Sequence, residues 1–295
     1  MKTISKPAVA GIAVLVAAAF PLGAGPRDKS GKPKTDGTTE KKQGYASVNG
    51  LKLYYEIHGT GRALVLLHGA FGLATVYPTL TKNRQVIAVE LQGHGHTADI
   101  DRPLTIEQMA DDTAALLKQL KIEQADFFGY SMDGTVALGV AVRHPNLVRK
   151  LAINGSHYSK MEDAYDPEVF KQFKSLPADF APKVLKDPYD KVAPDPKQWP
   201  VLVAKVKKMG LDFRGFARED MRSIKAHVLV TIGDRDGMRP EHAMEMFRLI
   251  PNSQLAVFPD ADHFLLWQSP EKLLPMIAAF LDAPMPETKA ERKEG

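Results

Sequence analysis

Three short stretches carry side chains that together can activate a hydroxyl. Gly129-Tyr130-Ser131-Met132-Asp133-Gly134 holds a serine, Gly233-Asp234-Arg235-Asp236-Gly237 holds two carboxylates, and Asp260-Ala261-Asp262-His263-Phe264 holds a histidine. A serine hydroxyl is a weak nucleophile until an imidazole takes its proton. The imidazole in turn needs a carboxylate to fix its tautomer and balance the charge it gains. Residues of these types point to attack of Ser131 on an acyl carbon with His263 as base, the carboxylate being Asp234 or Asp236. Asp262 is too close in sequence to His263 to orient the far nitrogen of its ring.

The surroundings of Ser131 fit this chemistry with one departure. An apolar block, Ala125 to Gly129, leads into it and a helical block, Gly134 to Arg143, leads away, so the serine sits on a tight strand-to-helix turn. The amides that open such a helix face any negative charge developing beside them. Small residues are needed where strand and helix pass closely, and Gly129 meets that need. Asp133 does not: the helix dipole favours a carboxylate in the first turn by ~0.3 to 1 kcal/mol, yet it brings bulk and negative charge close to a developing oxyanion.

These turns must be held by a scaffold, and the apolar runs supply one. Strand-like blocks fall at Tyr45 to Val48, Leu51 to Ile57, Ala63 to Leu67, Gln85 to Val89, Ala125 to Gly129, Val148 to Asn154, His227 to Ile232 and Gln254 to Phe258. Several are continuous Val/Leu/Ile/Phe runs, as expected of strands covered on both faces. Helical blocks lie between them at Ile106 to Leu120, Gly134 to Arg143, Arg239 to Leu249 and Pro270 to Leu281. The alternation predicts a doubly wound, mostly parallel eight-stranded α/β sheet with helices on both faces. Asn49-Gly50 predicts an antiparallel hairpin at its edge. Residues 159–224 carry helical pieces and scattered proline without a strand block, which reads as a helical lid between strands six and seven. Sheets of this kind bind ligands beyond the carboxyl ends of their strands, where the turns after strands three, five, seven and eight lie.

Composition narrows the function classes. At 295 residues with 44% hydrophobic content, the chain supports one full-sized core with an insertion. There is no cysteine, which excludes disulfides, thiolate metal sites and cysteine nucleophiles. Lys and Arg exceed Asp and Glu by 39 − 35 = 4, with many of the cations in the termini and no basic stripe with interleaved aromatics, so nucleic acid is not an expected partner. Lys2 and Lys6 precede an apolar run from Ala8 to Phe20, with Gly23, Ala24 and Gly25 after it. That is the layout of a secretory signal peptide, over residues 1–25, and the run is shorter than the roughly 20 residues of a membrane-spanning helix. A periplasmic or secreted chain with no stable membrane span after cleavage is expected. Residues 26–43 read as a flexible linker, 44–282 as the folded domain and 283–295 as a disordered tail.

At the level of these motifs the sequence resembles the α/β-hydrolase superfamily, in its branch of serine esterases, lactonases and iminopeptidase-like enzymes. The likeness covers Gly44 to Asp282 and rests on four motifs in order. They are Leu66-Leu67-His68-Gly69-Ala70-Phe71-Gly72, the turn Glu90-Leu91-Gln92-Gly93-His94-Gly95-His96-Thr97, the Ser131 stretch, and the pairing of the carboxylate turn with the His263 stretch. The resemblance implies the chain order serine, acid, histidine and places the acid at Asp236, three residues after Gly233. It implies an oxyanion hole formed by the amides of Ala70 and Met132, with Phe71 as the alternative first amide. It also implies hydrolysis of a small or medium carboxylic ester or lactone through an acyl-enzyme, without a cofactor. Phe71 and Phe264 are expected to bind substrate, and Trp199, Phe213, Phe216 and Trp267 are further candidates for the pocket wall. His68, His94 and His96 with Asp260 and Asp262 lack helical metal-ligand spacing, so no metal is expected. Asp133 leaves two alternatives. One is a catalytically impaired binding protein that keeps the fold. The other is a dehalogenase or epoxide hydrolase in which a two-residue slip makes Asp133 the nucleophile, at the cost of moving Ser131 into the strand.

Overall fold

Eight strands form one sheet in a computed structural model that describes residues 41–73 and 75–285. The strands are β1 (Lys41–Val48), β2 (Leu51–His58), β3 (Arg62–Leu67), β4 (Arg84–Glu90), β5 (Ala125–Tyr130), β6 (Val148–Asn154), β7 (His227–Gly233) and β8 (Ser253–Phe258). The helices are α1 (Pro78–Thr81), α2 (Ile106–Gln119), α3 (Met132–Arg143), α4 (Met161–Ala164), α5 (Pro167–Lys174), α6 (Lys183–Val192), α7 (Trp199–Asp212), α8 (Arg218–Ser223), α9 (Pro240–Leu249), α10 (Leu265–Gln268) and α11 (Pro270–Asp282). The expected leader and the tail beyond Met285 lie outside the described residues. Lys41, Lys42 and Gln43, read from the sequence as the end of a linker, are strand residues paired with Glu56 to His58. Their backbone hydrogen bonds to β2 outweigh a composition that by itself favours solvent.

The strand order is β1-β2-β4-β3-β5-β6-β7-β8. β1 and β2 make the expected hairpin, whose Asn49 and Gly50 both adopt positive φ, 47° and 82°. β2 is also antiparallel to β4, and every pairing from β4 to β8 is parallel. The chain leaves β3 in one direction for β4, then crosses to the other side of β3 for β5. The loops after β3 and β5 therefore part above the centre of the sheet and open a crevice there.

Period-two alternation along the strands builds a layer on each face. Val65, Leu67, Ile87, Val89, Phe127, Leu151, Ile153, Val228 and Val230 pack with residues of α2, α3 and α9. Leu64, Leu66, Val86, Ala88, Phe128, Ala152 and Leu229 pack with Leu80 of α1 and Leu273, Leu274 and Ile277 of α11. Fully burying a side chain of this size is worth about 1.5 to 3 kcal/mol. α11 is also held at its end by charge: Lys150 Nζ donates to Phe280 O at 2.8 Å, where the helix dipole favours a cation.

The segment between β6 and β7 is helical, comprising α4 to α8, and has no strand of its own. Isolated bridges join Ser159 to Gly215 and Tyr165 to Met238, the second tying the segment to the loop after β7. Trp199 anchors its interior, donating from Nε1 to Phe180 O at 2.7 Å. No helix among the described residues is long and apolar enough to cross a membrane.

Candidate active site

β5 ends at Tyr130 and α3 begins at Met132, so Ser131 alone makes the turn between them. Its φ of 55° is positive, a conformation that costs a non-glycine residue on the order of 1 to 3 kcal/mol and needs support from its surroundings. That support includes a hydrogen bond from Ser131 N to Asn154 O of β6, at 2.8 Å. Glycines on either side allow the close crossing. A Cβ on Gly129 would fall 2.6 Å from the Cα of Gly134, and one on Gly134 would fall 1.8 Å from Ser156 Oγ.

The Ser131 hydroxyl donates to His263 Nε2 at 2.8 Å, and His263 Nδ1 donates to Asp236 at 3.0 Å (Oδ1) and 3.1 Å (Oδ2). The backbone amide of Met238 donates to Asp236 Oδ1 at 2.9 Å and fixes the carboxylate. The two competing acids serve the loops instead. Asp234 accepts from Ala261 N at 3.2 Å, linking the turns after β7 and β8, and Asp262 accepts from Phe264 N at 2.8 Å. Burial lowers the pKa of His263, but the Asp236 carboxylate, helped by their hydrogen bond and by Asp262, outweighs it and holds the net value above 6.5. The arrangement can take a proton from Ser131 and stabilise the imidazolium that results.

Ala70, Phe71 and Met132 line the cavity into which Ser131 faces, and among the described residues the amides of Ala70 and Met132 have no acceptor. Met132 N opens α3, where unpaired amides and the helix dipole both favour an anion.

Asp133 points the other way. It is absent from the cavity wall and wholly buried, and among the described residues neither carboxylate oxygen has a hydrogen-bond partner. The slipped reading with Asp133 as nucleophile is therefore corrected: Ser131 holds the turn, and a carboxylate on the first turn of α3 faces inward. Burial pushes the Asp133 pKa up to about 6, against the pull of His94 and of the nearby amides of Gly69 and His68. The other histidines shape loops. His94 Nδ1 donates to Gln92 O at 3.0 Å, and Glu90 accepts from both the amide and the Nδ1 of His96, at 2.6 and 2.9 Å.

The cavity has a volume of about 960 Å³ and is mainly apolar. Phe71 and Phe264, named from the sequence as substrate-binding candidates, line it, and so do Phe213 and Trp267. Trp199 and Phe216 do not, which corrects their candidacy. Trp199 packs behind Phe71 with ring centroids 5.4 Å apart, and Phe216 backs Phe213 at 5.3 Å. Both rings stand one layer back, packed against the aromatics that form the wall.

Residues 64–275 match the model of the Alpha/beta hydrolase family, most of the folded part of the chain. The chain belongs to that family. Serine hydrolase BPHL of Mus musculus is 26% identical over 250 residues, 80% of this chain and 84% of that protein. The 2-hydroxy-6-oxo-2,4-heptadienoate hydrolase of Pseudomonas putida is 26% identical over 264 residues, 76% of this chain and 91% of its own. Among solved structures, the enol-lactonase of Burkholderia xenovorans LB400 shares the fold at a TM-score of 0.63 with 23% identity, covering 81% of this chain and all of that one, 100%.

Within this alpha/beta hydrolase chain, four residues near Ser131, Asp236 and His263 escaped the sequence reading. Tyr130 donates from its hydroxyl to His263 O at 2.8 Å. Gly155, with φ of 60°, leaves room for Asp236 and His263: a Cβ there would lie 3.0 Å from His263 Nδ1 and 3.1 Å from Asp236 Oδ2. His157 and Tyr165 line the cavity. Gly155 and His157 sit on the turn after strand six, at the same carboxyl edge of the sheet as the other site loops, and that position is the signal that could have found both. Nothing local marks Tyr165, which reaches the site through its bridge to Met238.

Proposed function

We propose that this chain is a serine hydrolase that cleaves a small or medium, mostly apolar carboxylic ester or lactone through a covalent acyl-enzyme. The observation that carries the proposal is the continuous relay from Ser131 through His263 to Asp236, with links of 2.8 and 3.0 Å. Ser131 Oγ attacks the substrate carbonyl as its proton passes to His263 Nε2. The oxyanion of the tetrahedral intermediate is held by the amides of Ala70 and Met132, each such donor being worth ~3 to 4 kcal/mol. Collapse expels the alcohol oxygen, which takes the proton from His263; in a lactone that oxygen stays tethered to the acyl group. Water then gives a proton to His263 and attacks the acyl carbon, and the acid leaves as Ser131 recovers its proton.

The cavity supports a neutral substrate over an anionic one. Its volume of about 960 Å³ suits a medium-sized acyl group. Arg235, the one arginine or lysine among its described lining residues, is exposed and paired with Asp260. A carboxylate such as the dienoate named for the P. putida relative would enter an apolar space without a buried cation to receive it. With this activity we propose a periplasmic or secreted location, supported by the leader-like pattern from Lys2 to Gly25. A fluorophosphonate probe tests the chemistry. Labelling of the wild type at Ser131, abolished in Ser131→Ala, is the expected result; an unreactive wild type beside a reactive control esterase would falsify it.

A further inference from the structure

Two polar atoms on the cavity wall have no partner among the described residues. His157 is 7% exposed and lines the cavity, and its Nδ1 donates to Ser159 O at 2.7 Å. That bond fixes the tautomer, since a nitrogen that donates to a carbonyl carries the proton, and leaves Nε2 as a bare acceptor. Burial, with His263 nearby, lowers the pKa of this ring to about 4, so it remains neutral at neutral pH. Tyr165, also 7% exposed and also on the cavity wall, has a hydroxyl that no atom of the described residues engages. Neither atom is sealed into the core, so each keeps a face on the cavity. The rings meet edge to face with centroids 5.4 Å apart, so the two residues share one stretch of the cavity wall.

The backbone explains why both are held there. His157 N donates to Thr135 Oγ1 at 3.3 Å, and Thr135 Oγ1 donates to His157 O at 2.7 Å, fastening the turn after β6 to α3. Tyr165 is fixed by its bridge to Met238, two residues beyond Asp236. Both groups feel the triad electrostatically, His157 through His263 and Tyr165 through Asp236. They share the cavity wall with Ser131 and His263, while Phe71, Met132, Phe173 and Phe213 give the rest of the space its apolar character.

From this pairing we infer that His157 and Tyr165 form a subsite for a neutral hydrogen-bond donor on the substrate, a hydroxyl or amide N–H a few bonds from the scissile carbonyl. The assignment deepens the proposed ester or lactone hydrolysis and rests on it. A hydroxyl can donate to His157 Nε2 while accepting from Tyr165. An amide N–H can make the first bond, with Tyr165 donating to the amide oxygen. A purely alkyl acyl group leaves both buried polar atoms unmatched, and a carboxylate offers His157 no proton. The substrate class is thus a hydroxyacyl or amidoacyl ester or lactone with an apolar remainder.

The test compares para-nitrophenyl octanoate with its β-hydroxy analogue and with the para-nitrophenyl ester of N-hexanoylglycine. The wild type should favour at least one polar ester by about tenfold in kcat/KM, the size of one net hydrogen bond. Which arm is favoured tells hydroxyl from amide. Tyr165→Phe and His157→Phe should each bring that ratio toward unity. Tyr165→Phe removes a single oxygen and decides the matter if His157→Phe fails to fold. No preference in the wild type, or a preference that survives both substitutions, overturns the subsite. Binding of the same three esters to Ser131→Ala, read by calorimetry, separates this from failure of the catalytic proposal. Tighter binding of a polar ester there without turnover by wild type keeps the subsite and rejects the hydrolase; turnover without discrimination does the reverse.

Discussion

Asp133 Oδ2 lies 3.4 Å from His68 Nδ1, with both side chains shut away beneath the turn that carries Ser131. His68 Nδ1 already donates to Gly69 O at 2.7 Å, so it offers the carboxylate proximity rather than a good hydrogen bond. Burial lowers the His68 pKa as well, which keeps this neighbour neutral. Asp133 therefore ionises near pH 6 when folded and near 3.8 when exposed. As pH rises between these values the unfolded chain gives up its proton first, so stability falls across that window and remains lower above it. Asp133→Asn keeps the shape and abolishes the titration. Urea unfolding at pH 7.5 should find this variant more stable by up to roughly 3 kcal/mol, with the gain disappearing toward pH 4. A variant less stable at pH 7.5 would show that the carboxylate has a partner the geometry does not reveal.

Asp262 raises the His263 pKa from outside the relay, while its Oδ1 caps the amide of Phe264. Only neutral His263 can accept the serine proton, so kcat/KM should climb with pH through the elevated value. Asp262→Asn keeps an acceptor for Phe264 and removes the charge. Its acid limb should move to lower pH with little change in the plateau, as measured by a pH–rate profile. An unmoved limb would mean the charge is screened. The same elevation stabilises the fold below the ordinary histidine pKa of 6.5 and is lost as pH rises through the folded value.

Gly155 borders the acid and base so closely that a single methyl group should disturb them. In Gly155→Ala the Cβ lies 3.0 Å from His263 Nδ1 with φ at 60°, so either the turn or the imidazole must shift. A displacement approaching 1 Å costs about 100-fold in rate. The expectation is a kcat lower by about 10- to 100-fold with KM little changed, checked by steady-state kinetics on a short-chain ester. Wild-type kcat would show that the turn yields and the relay does not.

Tyr130 holds the backbone of His263 through a hydrogen bond of 2.8 Å. Tyr130→Phe keeps the ring, which packs against Trp267 at 5.9 Å, and deletes that bond. A loss of about 1 kcal/mol is expected, lowering Tm by ~2 to 4 °C, as calorimetry can measure. An unchanged Tm would show that His263 O finds another donor.

Much of this architecture is legible in the chain because it is written over short distances. Short strand-like blocks, several of them continuous apolar runs, marked all eight strands, and Asn49-Gly50 marked the hairpin. The residue types at Ser131, Asp236 and His263 limited the chemistry before any contact was known, and the absence of cysteine removed its competitors. Tertiary structure alone placed β4 outside β3, turned Asp133 into the core, set Asp234 and Asp262 to loop duties and left Trp199 behind the pocket wall. It also brought His157 and Tyr165 together with a shared face on the cavity. Local pattern fixes what a segment becomes, since turn chemistry and periodicity act within a few residues. Which way a side chain faces, and whom it meets, depends on the register and packing of segments far apart in sequence, and no short stretch contains that information.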